Sequence, residues 1–113
     1  MFSRPFRFVP ARLKGSLEDG AIIGVLENGA EGDETGLPPG KYHLYTARVN
    51  GQWKTYAESG GHIVRDALRT AVTQAERPAR PAFRTKGWCI IVTLLGAQSG
   101  VRGAGAYVVT ACF

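Results

Sequence analysis

Residues 59–76 read SGGHIVRDALRTAVTQAE, and whether this stretch coils or extends decides the class of the fold. From Gly60 onward, Val64, Ala67, Leu68, Ala71, Val72 and Ala75 recur at the three-and-four spacing of one helix face, while Arg65, Asp66, Arg69, Thr73 and Glu76 fall outside that stripe. Ser59 suits an N-cap, Asp66 lies toward the positive end of the helix dipole and Arg77 toward its negative end, and Pro78 stops propagation because it has no N–H to donate. The spacing predicts one amphipathic helix of about four turns.

Upstream of it, Lys41 to Val49 and Gln52 to Glu58 flank Asn50-Gly51, a pair that accepts the two positive φ angles of a hairpin turn matched to strand twist. A two-residue loop fixes the register, so that Val49 faces Gln52, Arg48 faces Trp53, Tyr45 faces Tyr56 and His43 faces Glu58. Asp19-Gly20 is a second signal of the same kind and predicts strands over residues 12–17 and 21–27. Residues 28–40, dense in glycine, proline and carboxylates, read as an acidic surface loop. Residues 1–10 read as an N-terminal arm in which Phe6 and Phe8, two apart, suit the buried face of a strand.

Downstream, residues 77–86 hold two prolines and read as a basic linker. Trp88-Cys89-Ile90-Ile91-Val92-Thr93-Leu94-Leu95 and Ala106-Tyr107-Val108-Val109 are apolar on both alternating faces, and the segment between them, residues 96–105, is a Gly-rich hairpin loop. These predict a central hairpin buried on two sides. A single helix covers only one face of such a sheet. The other face calls for the N-terminal arm, a sheet curled on itself, or a second subunit, which makes a homodimer an expectation. The fold class expected is therefore α+β: a twisted antiparallel sheet in β-β-β-β-α-β-β order with one amphipathic helix packed on one face, in a single domain over residues 1–113.

Composition bounds the rest. Apolar residues make up 44% of the 113 and charged residues 20%, which is globular usage and too hydrophobic for a disordered chain. The longest apolar run, residues 88–95, is far short of the roughly 20 residues a membrane-spanning helix needs. The opening residues scatter arginine and proline where a signal peptide has its apolar core, which favours the cytoplasm. A final hairpin centred between Gly100 and Val101 places Cys89 directly opposite Cys112, close enough for a disulfide, and an oxidised pair would instead argue for export. The net charge of +5 is unevenly distributed: residues 1–14 carry four positive charges, 18–34 six negative ones, and 77–102 five positive ones. That layout describes solubility and encounter with acidic partners before it describes function.

Candidate chemistry is sparse. His43 opposite Glu58, with Ser59 and His62 close in sequence, is the arrangement a small hydrolase or lyase could use, since a carboxylate fixes the tautomer of an imidazole. No G-x-S-x-G elbow accompanies it, and a cross-strand polar pair on a solvated face is the plainer reading. Ser59, Gly60, Gly61 and His62 at the expected helix start, with Arg65 one turn on, would offer N–H groups and charge to an anion, although the P-loop ending is missing. Arg48, Trp53 and Lys54 on the hairpin, and Arg102 on the Gly-rich tip, form an expected contact surface. Together with Arg4, Phe6, Arg7, Phe8, Arg12 and Lys14 they match the composition of a nucleic-acid strip, yet no RNP or KH motif is legible, which counts against nucleic acid. Glu27, Glu31, Asp33 and Glu34 lack the spacing of a calcium loop, and the two histidines and two cysteines lack zinc spacing, so neither metal nor cofactor is expected. By elimination the sequence favours a non-enzymatic binding or interaction domain whose partner is a second copy, another protein or a small anion.

Overall fold

The computed structural model describes residues 6–11, 13, 17–28, 40–75, 82–87, 89–95 and 106–113. They form β1 (Phe6–Pro10), a 3-10 turn (Leu17–Asp19), β2 (Ala21–Asn28), β3 (Gly40–Val49), β4 (Gln52–Ser59), β5 (His62–Ala75), β6 (Ala82–Lys86), β7 (Cys89–Leu95) and β8 (Ala106–Cys112). All eight strands join one antiparallel sheet in the order β1-β2-β3-β4-β5-β8-β7-β6. The sheet curls until its two margins meet, where the rings of Phe8 in β1 and Phe83 in β6 pack edge to face with centroids 5.4 Å apart. The architecture is a nearly closed all-β barrel, and the α+β class is overturned.

The expected helix is the point of failure. Gly60 and Gly61 have φ of 59° and 81°, so Ser59 to His62 is a tight hairpin turn, and β5 leaves it antiparallel to β4. Glycines in the left-handed region carry no Cβ penalty, and this pair spends that freedom on chain reversal where a helix entry was expected. Ile63, Val64, Thr70, Val72 and Thr73 are β-branched and favour extension. The helix-like stripe does not trace one buried face: Leu68 is buried and Val72 half-buried, but Val64 and Ala71 are exposed. Between the pairs Thr55↔Leu68 and Ala57↔Arg65, β4 advances two residues and β5 three; between Ala57↔Arg65 and Glu58↔Ile63, β4 advances one and β5 two. Each bulge inserts a residue and resets which face the following side chains take. A strand with two bulges therefore keeps no constant period of two, and its sequence does not announce a strand by alternation.

Other boundaries shift for similar reasons. Leu17 to Asp19 forms a 3-10 turn closed by Gly20 N–H donating to the Leu17 carbonyl at 2.9 Å, so a 3-10 turn leads into β2 at Asp19-Gly20; of the strand expected over 12–17 only Leu13 and Leu17 are among the described residues, and neither is in a strand. The partner of β2 is instead the N-terminal arm, paired from Phe6↔Asn28 to Pro10↔Gly24. The second half of the expected basic linker is β6, whose side chains are all exposed and so lack the alternation that marks a half-buried strand. The first half of that linker, most of the acidic loop and the Gly-rich tip lie outside the described residues.

The interior is filled by alternate residues of the strands: Phe8, Ile23, Leu26, Tyr42, Leu44, Ala57, Leu68, Ile90, Val92, Leu94, Val109 and Ala111, with Leu13 and Leu17 added from the segment between β1 and β2. In β7, Ile90, Val92 and Leu94 are fully buried, whereas Cys89, Ile91 and Thr93 are half-buried on the outer face. The expectation of a hairpin sealed on both sides is thus corrected: the inner face is covered by the curl of the sheet itself, and the outer face stays partly open. Among the polar side chains, Thr46 and Thr55 are completely buried, 2.8 Å apart across β3 and β4. Thr70 of β5 continues the row, its hydroxyl 2.8 Å from both Thr55 Oγ1 and the Leu68 carbonyl. These hydroxyls satisfy one another across three strands, which keeps their burial from being a net penalty.

β5 carries the shape. Its 14 residues, at roughly 3.3 Å each, match the 44 Å long axis of the molecule. Its first part pairs with β4 up to Lys54↔Arg69, and its second part, from Arg69↔Cys112 onward, pairs with β8. Arg69 is the residue at which the strand changes partner.

Candidate functional site

The Asn50-Gly51 turn forms as the sequence predicts, with φ of 52° and 77°, and the register follows: His43↔Glu58, Tyr45↔Tyr56, Arg48↔Trp53 and Val49↔Gln52. His43 is exposed and Glu58 half-buried, and His43 alternates with the buried Tyr42 and Leu44, so it points away from the barrel interior. Ser59, Gly60, Gly61 and His62 are the β4–β5 turn. With no helix beginning there, the dipole and free N–H groups on which the anion reading rested are gone. Arg65 lies half-buried in the bulged part of β5, and its Nε is buried with no hydrogen-bond partner among the described residues. Arg102 falls outside the described residues, as do Arg4, Arg12 and Lys14. Phe8 is in the core and unavailable for stacking on a base.

Arg48, Trp53 and Lys54 are brought together with residues the sequence reading had placed on a helix. The Arg48 guanidinium lies over the Trp53 ring, 5.8 Å from its centroid, and the half-buried Trp53 packs against the core. Beyond Lys54↔Arg69 no ladder pair joins β4 to β5, because β4 continues beside β3 while β5 turns toward β8. The two strands part like a fork. In the fork lies an open depression of about 420 Å³ lined by Gln52, Trp53, Lys54, Leu68, Arg69 and Thr70. Leu68 is buried and Thr70, tied to Thr55 and the Leu68 carbonyl, is fixed in orientation. Lys54 and Arg69 are therefore displayed on a rigid base.

The charges here contrast with those elsewhere on the sheet. Where β1, β2 and β3 run side by side, Arg7, Glu27 and Lys41 stand in register, and Glu27 meets Lys41 at 3.3 Å and Arg7 at 4.0 Å. That row alternates in sign. At the fork two cations stand directly opposite each other, and neither has an ion-pair partner among the described residues. Like charges in opposed cross-strand positions are destabilising.

Cys89 and Cys112 are opposed in the β7–β8 ladder and joined by a disulfide, their Cα atoms 4.0 Å apart. Cys112 is also the β8 partner of Arg69, so the bond holds the strand that flanks the fork.

Sequence reasoning missed Gln52, Leu68, Arg69 and Thr70. The available signal was Gly60-Gly61 read as a hairpin turn. That reading brings β5 back along β4, and only the two bulges then decide that Arg69, rather than Ala67, arrives opposite Lys54. Compared with family models, with curated proteins and with solved structures, the chain matches none.

Proposed function

We propose that this chain is a small non-enzymatic binding domain of an oxidising, extracytoplasmic compartment, and that it recognises an anionic partner through the outer face of β4 and β5, where Lys54 stands opposite Arg69. The observation that carries the reading is the Lys54–Arg69 opposition: two cations directly opposed in the β4–β5 ladder with no ion-pair partner among the described residues, an arrangement that lowers the stability of the empty protein and is relieved when an anion arrives. The compartment is argued from the Cys89–Cys112 disulfide, since cytoplasmic thiols are kept reduced.

The test of binding is thermal unfolding at low salt against a panel of small carboxylates, phosphates and sulfates. An anion that binds only the folded state raises the midpoint, by an amount that grows with concentration and shrinks as salt is added. A panel in which no anion moves the midpoint overturns the reading. For the compartment, the protein taken directly from its source should resist maleimide until it is reduced, and thiols that react at once would place it in a reducing environment.

A further inference from the structure

We infer that the Cys89–Cys112 disulfide is a thiol-exchange site on the outer face of the barrel, open to small thiols that carry a negative charge, with Cys112 as the sulfur attacked. The inference goes beyond the anion-binding reading and does not depend on it. The placement follows from the register. Lys54 pairs with Arg69, Arg69 with Cys112, Cys112 with Cys89 and Cys89 with Lys86, so residues of β4, β5, β8, β7 and β6 stand in one row across the sheet. Ile90 and Ala111, next to the two cysteines in sequence, are fully buried, so both sulfurs point outward, and both cysteines are only half-buried. Directly opposed side chains start from Cβ atoms about 4.5–5.5 Å apart. The disulfide therefore lies between Arg69 and Lys86, both of them exposed. The next row on the same face is Ala71, Thr110, Ile91 and Arg84, so the two rows bring cations and no acidic side chain to the bond, and the small Ala71 and Thr110 leave its flank uncovered.

Exchange needs a thiolate that approaches along the S–S axis, and it needs the departing sulfur to hold negative charge. A bond that joins facing side chains of adjacent strands runs along the row, so its two in-line approaches pass Arg69 on one side and Lys86 on the other. On the Arg69 side a second cation, Lys54, stands behind the first, and that side draws an anion more strongly. A small thiol gives its proton to water, and its sulfur bonds to Sγ of Cys112. The Cys89–Cys112 bond breaks, and its electron pair stays on Sγ of Cys89 as a thiolate opposite Lys86, whose charge stabilises it. The product is a mixed disulfide on Cys112 and a free thiolate on Cys89. The fold tolerates this, because the other register pairs of β7 and β8 hold the hairpin without the cross-link.

The experiment follows opening of the disulfide in the folded, oxidised chain by 2-mercaptoethanesulfonate and by 2-mercaptoethanol, each rate divided by thiolate concentration and by the rate of the same thiol on a small uncharged disulfide. The sulfonate should be favoured about tenfold at low salt, a preference that shrinks as salt is added. Arg69→Gln should remove most of that preference, whereas Lys86→Gln should slow both thiols alike, by about threefold. After a quench with N-ethylmaleimide, peptide mapping should find the ethanesulfonate on Cys112 and the maleimide on Cys89. A rate that does not rise with thiol concentration shows that the bond opens only when the chain unfolds, and overturns exchange on the folded protein. Equal normalised rates for the two thiols, or a preference that survives both salt and Arg69→Gln, overturn the anionic class. A mixed disulfide on Cys89 overturns the assignment of the attacked sulfur. Each of these results leaves anion binding at Lys54 and Arg69 to its own test by thermal unfolding.

Discussion

Replacing Cys89 and Cys112 together by alanine removes a cross-link that closes a long loop of the unfolded chain while leaving the native ladder in place. The two residues are 23 apart in sequence, and seven register pairs from Cys89↔Cys112 to Leu95↔Ala106 hold β7 to β8 whether or not the sulfurs are joined. The stabilisation therefore lies mainly in the unfolded state. The loop-entropy relation gives about 11 cal/mol/K for this separation, or about 3.4 kcal/mol at 25 °C. Against a total stability of order 5–15 kcal/mol that is a large share. With an unfolding entropy of about 2.1 cal/mol/K per residue, the midpoint should fall by about 14 °C. Differential scanning calorimetry on the oxidised protein, the reduced protein and the double variant provides the assay, and the last two should melt together. If either melts within a degree or two of the oxidised protein, the bond is absent from the native chain or the unfolded chain already holds these strands together, and the reasoning fails.

Three further outcomes follow from the packing. Thr55→Val keeps the shape of the side chain but strips the middle hydroxyl from the buried row, leaving Thr46 and Thr70 without a shared partner; it should cost about 1–3 kcal/mol in urea unfolding, and a neutral effect would mean that the row is not cooperative. Gly24→Ala would set a methyl 2.2 Å from the Phe8 ring and 2.5 Å from the Val9 carbonyl oxygen, and since backbone cannot yield as a side chain can, the loss should be about 1–3 kcal/mol with β1 displaced in heteronuclear NMR. Phe83→Ala removes the ring that meets Phe8 where the margins of the sheet approach, and hydrogen exchange should quicken in β1 and β6 while β3 and β4 stay protected; unchanged exchange in β1 would show that the ring contact does not hold the margins together.

Much of the β architecture was legible because its signals are local. Asn50-Gly51 announces its turn, and the register of β3 and β4 follows from it by counting. The Cys89 and Cys112 opposition was legible in the same way, from the symmetry of a hairpin. β5 was not, because a bulge is a decision taken jointly by two strands: nothing within residues 62–75 says that β4 will advance by two where β5 advances by three. Binary patterning presumes a constant period, and β5 has none. β6 escaped for the opposite reason, since an edge strand whose residues are all largely exposed, with only Phe83 reaching Phe8, shows too little alternation of burial to be read from its sequence. The fork inherits both difficulties. Lys54 was visible on its hairpin, but its neighbour Arg69 is brought there by two irregularities and by the exchange of partners from β4 to β8, a relation between residues more than forty positions apart.

The meeting of β1 and β6 has a consequence for how the molecule behaves among its neighbours. Each is a terminal strand with one row of peptide groups bonded to no further strand of the described sheet, and the curl turns the two rows toward each other. Shedding the first ten residues would leave β2 and β6 as two naked borders of opposite ends on one particle. Such a particle can recruit a copy on either side, so the truncated chain should grow as open-ended fibrils and not stop at pairs.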